Sequence, residues 1–330
     1  MTLIKLQKQQ SLRKSLIKRR EEGYVVNERV KFHGIIPPVV TLFHEVGEFN
    51  WEANKKLADY LISQGVNGIL FMGSTGEFSS LPIEKRKKFA EEMIRHVDKR
   101  VPVLIGTGTP SPADTIELSR HAQESGADGV LVVSPFYWKF TEDQLFEYYT
   151  SIADSIDISV LIYNIPMLTG QSLSPQLIAR LAESRSNIVG IKDTIESMAH
   201  IRQLITETKK VRGDFAVFAA FDDLILPGLQ IGAAGAINGT SVFAPEQSVN
   251  LYNEFKNENY KKALEHHQKL VSLTSIYDFS QPLLIAIKEA VHQRVLGYDT
   301  AFISPALNLD DSIKSKVEDF ISSNFEVLTK

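Results

Sequence analysis

The chain has 330 residues, 43% hydrophobic and 23% charged, with 36 Lys and Arg against 40 Asp and Glu for a net charge of −4. That balance offers no overall basic field for nucleic acid, and no run of about 18 apolar residues is present to span a membrane. Cysteine is absent, which excludes disulfides, thiol nucleophiles and thiolate-bound metals and fits a reducing, cytoplasmic setting.

Residues 1–31 differ from the rest. They hold nine Lys or Arg against Glu21, Glu22 and Glu28, while Leu3, Ile4, Leu6, Leu12, Leu16 and Ile17 could line one helical face. The apolar core of a secretory signal is missing. The segment reads as a basic extension, helical or flexible, in preference to a targeting or nucleic-acid arm.

From Phe32 onward short apolar runs alternate with polar stretches of helical period. The runs are Gly34–Phe43, Gly68–Gly73, Val101–Thr107, Gly129–Pro135, Ser159–Pro166, Asn187–Asp193, Phe215–Asp222 and Gly235–Ser241. Several are apolar on both faces, as strands of a covered parallel sheet should be. Ser111-Pro112 and Ser174-Pro175 each place an N-cap before a first-turn proline. Thr141 and Gln144 form a capping box, and Gly65 and Gly126 stand where left-handed C-caps are expected. Eight such units predict an α/β fold, a closed (β/α)8 TIM barrel over residues 32–257, in preference to an open doubly wound sheet. Pro245–Asn257 would be the eighth barrel helix. The remaining chain, 258–330, predicts three additional C-terminal helices packed on the barrel.

In such a barrel, function lies on the loops after the C-terminal ends of strands. Gly73-Ser74-Thr75-Gly76-Glu77 follows the second run. Its glycines let N–H groups converge into a nest sized for a carboxylate or phosphate, although a tight glycine turn explains the same residues equally well. The spacing matches neither a P-loop nor a dinucleotide fingerprint. Lys192 ends the sixth run. Alone, a lysine there reads first as a surface charge; held among apolar walls it would lose its proton more readily and attack a carbonyl carbon to form an imine. Tyr163 lies 29 residues earlier, one βα unit away. Adjacent strands are about 4.8 Å apart, so its phenol could exchange protons with the forming carbinolamine. Asp222 and Asp223 end the seventh run and could accept hydrogen bonds from sugar hydroxyls. No histidine ends another strand to complete a metal site with them, and His266 and His267, adjacent on an outer helix, read as surface residues. No metal is expected.

Gly-Ser-Thr-Gly-Glu after the second strand, Tyr163-Asn-Ile-Pro after the fifth and Gly-Ile-Lys192-Asp-Thr at the sixth together resemble the dihydrodipicolinate synthase / N-acetylneuraminate lyase family of pyruvate-dependent class I aldolases. The resemblance runs from about Phe32 to Leu307. It implies that Lys192 forms a covalent imine with pyruvate, with no other cofactor, and that Tyr163 is the general acid and base. It implies that Ser74 and Thr75, with nearby N–H groups such as that of Gly76, clamp the carboxylate, and that Thr75 links Tyr163 to Tyr137 in a proton relay. In the family the tyrosine at the Tyr137 position crosses a subunit interface, so a homotetramer built as a dimer of dimers is implied. Ile237 matches a residue lining the pyruvate pocket.

Two departures narrow the substrate. The synthase branch is similar through Tyr-Asn-x-Pro-x-Arg-Thr-Gly, and Leu168 stands where its arginine would bind a dicarboxylic partner. The neuraminate-lyase branch has Gly-Tyr-Asp-Glu where this chain has Ala220-Phe221-Asp222-Asp223. Gly34-Ile-Ile-Pro-Pro, Ser134-Pro-Phe-Tyr-Trp-Lys139 and Lys192-Asp-Thr-Ile are most similar to aldolases of 2-keto-3-deoxy sugar acids. The expected activity is therefore reversible cleavage of such an acid to pyruvate and an aldehyde. Asp222, Asp223, Thr169 and Thr194 are the candidates for holding the polyol end. Synthase or neuraminate-lyase activity, a dehydratase using the same imine, and a retired barrel that binds pyruvate as a regulator are the alternatives.

Overall fold

The structure, a computed structural model, describes residues 32–45, 47–302 and 310–325. The basic extension 1–31 lies outside them. Eight parallel strands follow in chain order: β1 (Gly34–Ile35), β2 (Ile69–Phe71), β3 (Val103–Gly106), β4 (Gly129–Val133), β5 (Ser159–Asn164), β6 (Ile188–Asp193), β7 (Ala216–Ala219) and β8 (Gly235–Ala236). From β2 to β8 each pairs with the next, and β8 pairs back to β1 in the register Gly34↔Gly235, Ile35↔Ala236. The ring closes between β1 and β2. There the Leu70 N–H donates to the Pro37 carbonyl at 3.0 Å and the Val39 N–H to the Leu70 carbonyl at 2.9 Å. This is the (β/α)8 barrel that the alternation of runs predicts.

Between the strands lie α1 (Trp51–Ser63), α2 (Ile83–Val97), α3 (Pro112–Glu124), α4 (Glu142–Asp154), α5 (Pro175–Ser184), α6 (Met198–Val211) and α7 (Ile225–Ile231), and α8 (Pro245–Lys256) follows β8. A single helical turn, Pro166–Thr169, interrupts the loop from β5 to α5. Three more α-helices follow among the described residues: α9 (Tyr260–Leu273), α10 (Leu284–Val291) and α11 (Asp311–Asn324). The caps lie where the residues demand. Ser111 and Ser174 accept from Asp114 and Leu177, and Thr141 and Gln144 form the reciprocal capping box. Gly65 and Gly126 take the left-handed backbone that ends α1 and α3.

Every residue of β3, β4 and β5 is buried, inward side chains by the barrel filling and outward ones by the helices. Each large aliphatic removed from water in this way contributes about 1.5–3 kcal/mol. The β1–β8 seam is the tightest approach. A Cβ on Gly235 would stand 1.9 Å from the Gly34 carbonyl oxygen, so only glycine lets these strands meet.

One expected strand is shorter than its apolar run. Gly34–Phe43 is regular only over Gly34–Ile35, with a single bridge at Pro38. Pro37 and Pro38 have no N–H to give the ladder, so pairing breaks after two residues. The end of the run, Phe43–Glu45, instead forms a small antiparallel hairpin with Glu48–Phe49.

Candidate active site

The strand register builds the centre of the site. Tyr163 on β5 and Lys192 on β6 are Cα partners. Both point into the barrel mouth, 4% and 5% exposed, so the lysine is no surface charge. The Lys192 Nζ stands 4.4 Å from the centre of the Tyr163 ring. The Tyr163 hydroxyl meets Ser74 Oγ at 3.5 Å across the mouth. It also faces a small cavity lined by Gly73, Gly106, Gly108, Leu131 and Val133, where bare glycine backbone keeps space open beside the phenol.

The Gly73–Glu77 segment forms a 3-10 turn over Ser74–Gly76, held from outside. The Thr75 hydroxyl donates to the Pro38 carbonyl at 2.6 Å, and Thr41 Oγ1 donates to the Gly76 carbonyl at 2.8 Å. A Cβ on Gly76 would crowd that Thr41 oxygen and the Val39 carbonyl at 3.3 and 3.2 Å. The opening N–H groups of such a turn have no acceptor within it, so those of Ser74 and Thr75 suit an anion. Ile237 follows β8 directly and is 1% exposed.

The other expected residues are placed less uniformly. Thr75 spends its proton on Pro38 and so does not donate to Tyr163 or Tyr137 within one chain. Tyr137 is 86% exposed, in left-handed backbone at φ 86°, with Trp138 as its ring neighbour. Thr169 is buried, its hydroxyl shared between the Ile165 and Gln171 carbonyls at 3.1 and 3.0 Å, which makes it a staple of its own loop rather than a free polyol contact. Thr194 is half-buried and its hydroxyl meets no partner among the described residues.

The two aspartates separate. Asp222 is 1% exposed and accepts from Asn238 at 2.6 Å, from Thr240, and from the Tyr277 hydroxyl at 2.6 Å. With both oxygens engaged, this carboxylate ties β7, β8 and the C-terminal region together rather than facing a sugar. Burial drives its pKa up, against those three hydrogen bonds. Asp223 is half-buried. The surface reading of His266 and His267 also needs correction. Both are half-buried: His266 contacts Gln247 at 3.2 Å, and burial lowers the pKa of His267.

Four supporting residues escaped the sequence reading. Asn164 and Asp193, each immediately after a central residue, pair at 2.8 Å, and Asp193 also meets His200 of α6 at 2.9 Å. Alternation along the strands sends Asn164 and Asp193 outward behind the site, where Asp193 meets the helix. Burial opposes the charged form of His200, but the hydrogen bond and charge of Asp193 outweigh it and raise the pKa. Buried Arg86 of α2 donates to the Gly106 and Gly108 carbonyls at 2.9 and 3.3 Å, with burial pushing its pKa down to about 10. A short-range pattern, Asp193 seven residues before His200, could have flagged the first; Arg86 carried no local signal. Glu289, His292 and Asp299 also cluster, but His292 is bonded on both ring nitrogens and Asp299 pairs with Lys314.

Comparison with known proteins agrees with this fold. Residues 31–324 match the dihydrodipicolinate synthetase family. The chain is 45% identical over 287 residues, 87% of its length and 95% of the other's, to the "putative 2-dehydro-3-deoxy-D-gluconate aldolase YagE" of Escherichia coli K12. It is 42% identical, with the same coverage, to the "probable 2-dehydro-3-deoxy-D-pentonate aldolase YjhH" of the same organism. The crystal structure of YagE in complex with pyruvate superposes with a TM-score of 0.87 at 43% identity, covering 89% of this chain and 99% of that one.

Proposed function

The chain belongs to the dihydrodipicolinate synthetase family and is a class I pyruvate aldolase, a carbon–carbon lyase, and from that premise we propose that it cleaves or forms a 2-keto-3-deoxy sugar acid through an imine on Lys192. The observation that carries the reading is the buried Tyr163–Lys192 rung beside the Ser74–Thr75 turn.

The amine of Lys192 adds to the C2 carbonyl of the acid, whose carboxylate lies against the Ser74 and Thr75 N–H groups. Tyr163 gives its proton to the carbinolamine oxygen, which leaves as water as the imine forms. The Tyr163 phenolate then takes the proton of the C4 hydroxyl. The C3–C4 bond breaks, the aldehyde departs, and the bonding pair moves into the imine to leave an enamine. Tyr163 returns its proton to C3, and water releases pyruvate and the free lysine. The protonated imine serves as the electron sink, so the chemistry asks for no metal.

The sugar-acid choice is supported by the relatives named above and by Leu168, where a synthase would carry a carboxylate-binding arginine. Asp223, which is half-buried, and Thr194, whose hydroxyl has no partner among the described residues, are the polyol contacts best supported. Exposed Tyr137 and Trp138, the former in strained backbone, support an assembly in which a neighbouring copy covers them, and we propose a homotetramer, working in the cytoplasm. The test is reduction with borohydride in the presence of pyruvate, followed by peptide mass analysis. A pyruvate adduct on Lys192 is expected; an adduct elsewhere, or none, sinks the proposal.

A further inference from the structure

We propose that helix α10 belongs functionally to the pyruvate site, because Lys288 pairs with Glu77 and so sets the position of the carboxylate-binding turn. The inference rests on the reading above that Gly73–Glu77 binds the substrate carboxylate.

Lys288 is fully buried in α10, outside the barrel, and its Nζ donates to Glu77 Oε1. The side chains of the pair are 0% and 3% exposed. The ammonium also lies 4.5 Å from the centre of the Phe302 ring and 5.1 Å from that of Phe43. Burying two charges is costly, and a methionine would fill similar space without that cost. A lysine here is explained by the carboxylate it meets.

Glu77 is the residue next to Gly76, and its own conformation is constrained. It adopts left-handed backbone at φ 58°, unusual for a residue with a side chain, and joins two successive 3-10 turns. Its N–H closes the first turn by donating to the Ser74 carbonyl at 3.1 Å. Strand β1 holds the turn from one side through Pro38 and Thr41. Lys288 holds it from the other, through the side chain of the residue whose backbone conformation shapes it. Displacement of Glu77 would carry the Ser74 and Thr75 N–H groups away from the carboxylate they serve.

The test compares Lys288→Met, Glu77→Gln and the double variant with the wild type. Two quantities are read: pyruvate needed for half-maximal borohydride trapping, and amide hydrogen exchange of residues 73–81 without ligand. Each single variant removes one half of a buried ion pair, so the half-saturating pyruvate should rise roughly tenfold while the final yield on Lys192 is kept, and exchange of 73–81 should quicken. The double variant, with both charges gone, should recover to within about threefold of wild type. A rise of less than about twofold in the singles, with unchanged exchange, overturns the inference, as does a double variant no better than the singles. Should Lys288→Met not fold, Glu77→Gln carries the same criteria. If the wild type itself is not trapped by pyruvate, the proposed function fails, while the exchange comparison still decides what Lys288 does to the turn.

Discussion

Tyr163 and Lys192 occupy one rung of the barrel: they are register partners on β5 and β6, with the amine 4.4 Å from the centre of the phenol ring. Neither residue could move to a neighbouring position without turning its side chain to the helix layer, because alternate strand residues face opposite sides. The phenol is therefore fixed beside the amine by the strand register itself.

Tyr163→Phe should keep the fold and the lysine but remove the proton carrier. Borohydride trapping at Lys192 should slow by about 10²–10⁴-fold, the usual worth of a positioned general acid or base. Lys192→Ala should abolish trapping altogether. Trapping at an undiminished rate in the phenylalanine variant would assign the proton transfers elsewhere.

Leu168 is 62% exposed on the single helical turn after β5. Leu168→Arg should change stability by less than about 0.5 kcal/mol, as surface substitutions do. It adds a charge and five donors at the mouth. Turnover of pyruvate with aspartate semialdehyde should rise relative to glyceraldehyde, by roughly tenfold for one charge-assisted contact. An unchanged ratio would remove Leu168 from the account of specificity.

Asp222 has a pKa raised by burial in the folded chain. A carboxyl raised in this way contributes full stability below its ordinary value of 3.8, and stability falls as pH rises from 3.8 to the folded-state value. Asp222→Asn removes that dependence and disrupts acceptance from Thr240, Asn238 and Tyr277. It should cost about 2–4 kcal/mol in urea unfolding, with the deficit greatest in acid and shrinking as pH rises. A deficit independent of pH would mean that Asp222 does not titrate within that window.

His200 also shifts upward, but from the opposite cause. Its pKa is raised because Asp193 outweighs burial, so its contribution is complete below 6.5 and is lost as pH rises through the folded-state value. His200→Gln should flatten the slope of melting temperature against pH above 6.5. The wild-type slope persisting in the variant would place the titration on another group.

Much of this was legible because it is written locally. Runs of apolar residues punctuated by glycine gave the strands, and Ser-Pro and Thr-x-x-Gln gave helix starts, since both depend on neighbours a few residues apart. Tyr163 and Lys192 were legible because one βα unit separates them. What escaped was long-range or backbone-determined. Lys288 meets Glu77 from 211 residues away, although a lysine within Leu-Leu-Ile-Ala-Ile-Lys-Glu-Ala-Val stands out once the helix is known to be buried. The Asp222-Asp223 pair looked like two equal ligands, and only the fold shows that one is enclosed by Asn238, Thr240 and Tyr277. Pro37 and Pro38 ended the first strand early, a break that was visible in the residues and outweighed by the apolar run around them.

The glycine seam between β1 and β8 also bears on how the protein is made. Gly34 leaves the ribosome early, but its β8 partner, Gly235, is synthesised only after seven strands and their helices. Until then β1 has an unpaired edge, able to join β2 on one side only, and such an edge can recruit other chains. Nascent chains stalled before Gly235 should therefore be the aggregation-prone species, and folding should accelerate once that glycine clears the exit tunnel.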